Sequence, residues 1–418
     1  MMRSKSAVWH PFTQHAVQPV ATLISGAEGA WLRAPDGRRI FDAVSSWWVV
    51  THGHRHPHIV QAIKKQIDRL DQVIFAGFTH EPAEALARQL IAITPPKLEY
   101  VFFSDSGSTS VEVALKMALG FWRHRGEIRH RILALEGAYH GDTIGGMSVG
   151  ERGVFNAPYD SLLFYVERLT FPHAGSEQVT LDALKAACRS GTIAALIVEP
   201  LILGAGGMLI YPPWVLAEMN RICRTHDVLF IADEVMTGWG RTGTLFACAQ
   251  ADVTPDIACY SKGLTGGSLP LAVTLCRADI FDAHFSTDRT RTFFHSSSYT
   301  ANPLACAAAV ANLEIWQTEP VMARIDRIAA THKRRLDRFR DDQRFSNVRQ
   351  IGTIAALDIV TSDPGYLANI GPRLYQDFLS RDVLIRPLGN TIYLMPPYCS
   401  TDGELDAVYD AIDEVVAP

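Results

Sequence analysis

The 7 cysteines include no CxxC pair, and their number is odd. That argues against a disulfide framework and for thiols used as small apolar residues in a reducing, cytoplasmic compartment. Long apolar runs are missing as well. The most apolar segment, IAALIVEPLILGAGGML, is broken by Glu199 and Pro200, so no membrane span is expected. No apolar stretch follows the basic residues of MMRSKSAVWHPF, and no signal peptide is expected. Positive charge is not in excess: a formal charge of −5 gives no electrostatic reason for a nucleic-acid or anionic-membrane partner. Internal repeats and low-complexity linkers are absent. The GAGG at residues 204–207 lacks the third glycine at the right spacing and leads to Pro212-Pro213 rather than a helix, which argues against a dinucleotide site. What remains is a globular composition, 48% hydrophobic and 20% charged, over 418 residues, enough for two or three structural units.

The chemistry concentrates in residues 226–267. Two apolar runs, 228–232 and 256–260, end abruptly, the first at Asp233-Glu234 and the second at Ser261-Lys262 before a glycine-rich turn. Such runs read as buried strands of a parallel sheet, and ligands collect at the carboxyl ends of those strands. A carboxylate and a lysine at neighbouring strand ends suit pyridoxal phosphate chemistry. The lysine amine forms a Schiff base with the cofactor aldehyde, and the aspartate keeps the pyridine nitrogen protonated. The alternative is a pair of surface residues capping two strands.

Other segments offer matching parts, each with a plainer alternative. Residues 100–116 read as strand, small-residue loop and helix. There Ser106, Gly107 and Ser108 form an anion cradle or a simple N-cap, without the Gly-Lys-Ser/Thr ending of a nucleotide loop. Tyr139, leaving the strand 131–135 in a glycine-rich turn, could stack on a planar ring or serve local structure. Trp47 and Trp48 would point opposite ways if extended, as core or as a substrate wall. The hydroxyl cluster after His295 could bind phosphate from a second direction or cap a loop. Arg386 is a guanidinium suited to a carboxylate or to a surface ion pair. The alternating histidines of HGHRHPH are broken by Gly53 and Pro57 and read as a polar turn before a helix at 59–70, not as a metal site. A hairpin is expected around Asp36-Gly37, a charged helix across 319–339, and a small α+β unit from about residue 345. Strands alternating with helices before that point imply an α/β large domain with a mostly parallel, doubly covered sheet.

SGS before a helix, GAYHGDT, VEP, IADEV, GRTG, SKGLTGG and HSSSYTANPLACAAA follow one another in an order and spacing that resembles the class III (ω-type) aminotransferases of PLP fold type I. The likeness covers essentially the whole chain. Trp9-His10-Pro11, SSWW, GDT, GAGGM and IRPLGNTIYLMPPY resemble more closely the members that convert 8-amino-7-oxononanoate to 7,8-diaminononanoate in biotin biosynthesis. The resemblance implies pyridoxal 5'-phosphate held by Lys262, with Asp233 on the ring nitrogen, Tyr139 on the ring face and Ser106, Gly107 and Ser108 on the phosphate. It implies a homodimer with shared sites, in which Ser297 and Ser298 reach the neighbouring subunit's cofactor. Arg386 would grip the substrate carboxylate, while Trp47, Trp48, Phe12, Tyr393 and Ser296 line the substrate pocket and Asp142 and Arg241 lie near it. The donor implied is S-adenosylmethionine, with lysine, or a broader ω-amine reaction, as alternatives. Phe12 stands where that group carries a tyrosine, and HSSSY where it often reads HGPTF. The domains implied are an N-terminal segment, 1–50, joining the small domain, a cofactor-binding domain, 51–315, and a C-terminal small domain, 316–418.

Overall fold

A computed structural model describes residues 6–18 and 21–417; the basic Arg3 and Lys5 of the N-terminal segment lie outside it. The apolar runs form a seven-stranded sheet in the order Tyr100–Ser104, Ala272–Cys276, Ile257–Tyr260, Leu229–Asp233, Ile193–Val198, Arg131–Leu135, Glu167–Leu169. Ala272–Cys276 runs antiparallel to both neighbours, and the other adjacent pairs are parallel. The sheet is mostly parallel because crossovers such as the helix Pro213–Thr225 return the chain across its face. Every residue of Ile193–Val198 and Leu229–Asp233 is buried, which is why these strands read as continuous apolar runs rather than alternating ones. Each fully buried Ile, Leu or Val contributes about 1.5–3 kcal/mol by leaving water.

Both central strands start one residue later than the sequence suggests. Asp256 does not extend its strand; its Oδ2 accepts the amide of Phe230 at 2.7 Å and ties the two strand starts together. Asp233 becomes the last residue of Leu229–Asp233, paired in register with Cys259. Lys262 follows Cys259 by three residues, so the parallel register brings carboxylate and lysine to the same edge.

A second, antiparallel sheet joins Phe345–Ile351, Ile354–Ile359 and Thr391–Leu394. Its first strand was not expected. FSNVRQI is too polar to read as a strand, and a register shift between Ser346 and Arg349, with Asn347 at φ +47°, breaks its alternation. A third sheet pairs the hairpin Trp31–Arg33 and Arg39–Asp42 with Gly26–Glu28 on one side. On the other side it pairs in parallel with Val383–Leu384, stitching the two ends of the chain together. Gly37, at φ +89°, makes the hairpin turn.

Some helices depart from expectation. The helix over 59–70 is Pro57–Ile67; Ile59 is buried but Ile67 is 50% exposed, so its apolar stripe is only partly used. The helix across 319–339 is Val321–Leu336, closed by the 3₁₀ turn Asp337–Phe339. Ser45–Trp48 is neither strand nor regular helix but a kinked turn, with Ser46 at φ +60° and Trp48 at φ +67°. A tryptophan in the left-handed region is strained, and the surrounding contacts hold it there. Three of the four histidines of HGHRHPH pair individually with carboxylates: His54 with Asp42 at 2.8 Å, His56 with Glu319 at 3.1 Å and His58 with Glu314 at 2.5 Å.

Candidate active site

Lys262 opens a 3₁₀ turn, Lys262–Thr265, at the carboxyl end of its strand. Burial pushes its pKa down, opposed by Asp233 and Glu199 and aided by Arg241. A depressed lysine more readily presents the neutral, nucleophilic amine. Its Nζ stands 5.2 Å from the ring centre of Trp48. Asp233, 4% exposed, accepts from Val235 N at 3.1 Å and bonds His140 Nδ1 at 2.7 Å. A carboxylate has about four lone-pair directions, so these two partners leave capacity for another donor.

His140 and Glu199 are the residues sequence reasoning did not place in the site. His140 follows Tyr139 in the same turn and stands with no exposed side chain against Asp233. Glu199 ends Ile193–Val198 just as Asp233 ends its own strand, and that position was the available signal. It accepts from Tyr139 N at 3.0 Å and Gly204 N at 2.9 Å, and burial pushes it up to about 7. Tyr139 is thereby fixed through its backbone, and burial, followed by the neighbouring Asp142, raises its hydroxyl pKa.

Ser106 is the N-cap of the helix Gly107–His124, in a capping box with Thr109. That hydroxyl caps the helix, whose backbone amides and dipole, over 18 residues, add anion-binding capacity at the same end. Ser108 Oγ accepts from Asp142 N at 3.2 Å. This corner is tightly packed and leaves no room for a Cβ at Gly107 or Gly141. A Cβ on Gly107 would stand 2.6 Å from Val235 Cγ1, and one on Gly141, at φ +112°, would overlap Ser108.

A cleft of about 300 Å³ opens beside Tyr139 and Asp142 and is lined further by Phe155, Gly206, Tyr366 and Leu388. The Phe155 ring meets Tyr366 at 4.4 Å, Phe12 at 5.9 Å and Tyr139 at 6.4 Å between centroids. Neither Phe155 nor Tyr366 carried a sequence signal. Trp47, 41% exposed, packs edge-on to Phe12 and lies under the Arg386 guanidinium at 5.0 Å, while Arg386 also donates to Phe12 O at 3.1 Å. Trp48 turns the other way, buried, donating from Nε1 to the Tyr393 hydroxyl at 2.9 Å.

The structure places the remaining expected site residues as follows. Tyr393 is 2% exposed and braces Trp48 rather than lining the cleft. Arg241 is 1% exposed and donates to the carbonyls of Pro396, Trp48 and Val50, because a buried guanidinium must spend its donors on nearby acceptors. Ser296 and Ser298 are exposed, and Ser297 donates to Asp105, one residue before the phosphate-loop candidates. Among the described residues no group of histidine, cysteine and carboxylate side chains is arranged to hold a metal ion.

The sequence profile of aminotransferase class-III matches residues 12–416. The chain belongs to the class-III aminotransferases. Among its relatives, the adenosylmethionine-8-amino-7-oxononanoate aminotransferase of Synechococcus elongatus is 47% identical, covering 99% of each chain. The protein of that name from Geobacter sulfurreducens is 37% identical over 98% of this chain and 95% of its own. Among solved structures, the Methanocaldococcus jannaschii enzyme of that name superposes with TM-score 0.93 at 33% identity, covering 98% and 97% of the two chains. An amine transaminase from an uncultivated Pseudomonas species, solved in its PLP-bound form, gives 0.94 at 31%, covering 100% and 99%. As a class-III aminotransferase the chain is a PLP-dependent transaminase of fold type I. Its own residues fit that cofactor: a buried amine, a buried carboxylate with spare acceptor capacity, a tyrosine after a strand end, and the N-terminus of an 18-residue helix.

Proposed function

We propose that this class-III aminotransferase converts 8-amino-7-oxononanoate to 7,8-diaminononanoate, with S-adenosylmethionine as the amino donor. The observation that carries this reading is the near full-length likeness to relatives named for those two compounds. The surroundings support it: the cleft lining is largely apolar and aromatic, and Arg386, over the Trp47 ring and beside Tyr366 of that lining, suits the carboxylate end of an aliphatic chain.

Bound pyridoxal phosphate supplies an electron-accepting ring conjugated to the amino group in transit. Lys262 would hold the cofactor at rest and then take or return the proton at the substrate carbon that gains or loses nitrogen. Burial, which lowers its pKa, favours the neutral amine that can act as a base. Asp233 holds a proton on the ring nitrogen, and His140 fixes the carboxylate for that task. Tyr139 covers the ring face, with Glu199 anchoring its backbone. Gly107 and Ser108 offer amides to the phosphate, while Ser106 shapes the helix start. Arg386 binds the keto substrate's carboxylate, and Trp47 and Phe12 exclude water from the methylene chain. We further propose that the enzyme is a cytoplasmic homodimer in which Ser297 and Ser298 serve the neighbouring subunit's phosphate. Seven free thiols support a reducing compartment. No helix among the described residues is long and apolar enough to cross a membrane.

The test is a half-reaction on the loaded enzyme, mixed separately with adenosylmethionine and with lysine. Loss of the cofactor's visible absorbance with adenosylmethionine alone is expected. Loss with lysine alone keeps the product and changes the donor. Loss with neither, but with other ω-amines, overturns the substrate assignment.

A further inference from the structure

Lys262 has φ +45°, a left-handed conformation that a lysine adopts only when its surroundings impose it. Three elements enclose the turn that follows. A Cβ on Gly263 would stand 2.7 Å from Trp239 Cβ and 2.9 Å from Thr51 Cγ2, and one on Gly267 would stand 2.7 Å from Val49 O. Those are walls of packing. The helix Pro303–Thr318 makes a polar grip. Its buried residues are mostly alanine and other apolar side chains, and Asn312 interrupts them with no exposed surface. Asn312 Nδ2 donates to Gly263 O and to Leu264 O, 3.1 Å each, so both amide hydrogens are committed to the two carbonyls after the lysine. A buried amide on an apolar helix face is costly unless it is used in this way.

His52 shares the spot. A Cβ on Gly266 would come within 3.2 Å of Asn312 Oδ1 and 3.8 Å of His52 Cδ2. Burial, with His56 adding to it, pushes His52 down to about 3, so no charge is brought under the turn at neutral pH. The charged groups that act on the Lys262 amine are therefore Asp233, Glu199 and Arg241, and their effect depends on where the turn points that amine.

We propose that Asn312 is a positioning residue for Lys262: by holding the carbonyls of Gly263 and Leu264 it sets the turn that directs the lysine amine into the site. The inference rests on Lys262 being the residue that holds the cofactor. Neither the composition of the Ala-rich helix nor the spacing of its asparagine signals the link, since the helix lies some fifty residues further along the chain.

Wild type, Lys262→Ala, Asn312→Ala and Thr180→Val are purified with cofactor, and three properties are followed: visible absorbance against pH, kcat and KM separately, and thermal stability. Thr180 is the control for lost buried hydrogen bonding, since its hydroxyl donates to Thr170 O at 2.7 Å in a helix outside the turn. Asn312→Ala is expected to move the absorbance midpoint by about one pH unit and lower kcat about tenfold, with KM changed less than about twofold. Thr180→Val is expected to lose stability and leave both at wild-type values. An Asn312→Ala enzyme that titrates and turns over like wild type overturns the inference. If that variant does not fold, the isosteric Asn312→Asp is judged by the same midpoint. A Lys262→Ala protein that keeps the wild-type absorbance overturns the reading of Lys262 itself, a separate failure.

Discussion

Lys262 and Arg386 do different work, and their substitutions should separate kinetically. On the proposed roles, Lys262→Ala would remove both the anchor and the base, so turnover should fall by about 10³-fold or more, with no visible absorbance band from a lysine-bound cofactor. Rapid-mixing kinetics and a spectrum check both. Arg386→Lys keeps the charge but loses the planar fork that stacks on Trp47 and can hold a carboxylate through two bonds. The KM for the keto substrate should rise about tenfold or more, while the donor half-reaction stays within about twofold of wild type. Equal losses in both half-reactions would refute that division of labour. Trp47 and Trp48, adjacent in sequence, show the same lesson. One forms the outer wall with Phe12, the other is locked inside by Tyr393.

At the scale of elements, the phosphate corner depends on the turn carrying Tyr139 seating against the start of the helix Gly107–His124. Gly141, at φ +112°, lets Ser108 and the amide of Asp142 meet. Gly141→Ala should displace Ser108, weaken cofactor binding about tenfold or more by absorbance titration, and leave the far-UV spectrum unchanged. The segment carrying His52 makes a pH prediction. In the unfolded chain a histidine titrates near 6.5, whereas burial holds His52 at about 3. Below pH 6.5 the unfolded state takes up a proton that the folded state refuses. The contribution of His52 is therefore full above 6.5 and lost as pH falls toward 3. His332, pushed down to about 4 by burial, acts in the same sense. Glu199, raised to about 7, acts oppositely, favouring the folded state below 4.5 and losing that contribution as pH rises through 7. The His52 term is isolated as a difference: the urea midpoint of His52→Gln should vary less between pH 6.5 and 4.5 than that of wild type.

For the whole molecule, apolar contact between the sheets converges behind the site. Val44, Trp48, Ile202, Met236, Ile354 and Tyr393 form one buried cluster drawn from segments across the chain. Arg349, on the second sheet, donates to the carbonyls of Gly207 and Met208 in the loop that lines the cleft. The wall of the cleft is thus set by how the small sheet seats on the large one. Light scattering should give a mass of twice 46.1 kDa for the assembled enzyme. A mass of 46.1 kDa at working concentration, with full activity, would remove the role proposed for Ser297 and Ser298 across subunits.

The large sheet and the Lys262–Asp233 pair were legible because each depends on local pattern. Buried strands demand unbroken apolar runs, and a catalytic group at a strand end interrupts its run with a polar residue. The edge strand Phe345–Ile351 was not legible, since a bulge and an exposed face erase its period. Nor were the partners of the site residues. His140 on Asp233, Tyr393 on Trp48, Arg241 on three carbonyls and Asn312 beneath Lys262 are contacts between segments remote in sequence. One chain records which residues can donate, accept or stack. Only packing, by removing water from some of them and bringing distant acceptors to others, decides whether an arginine such as Arg241 meets a substrate or its own backbone.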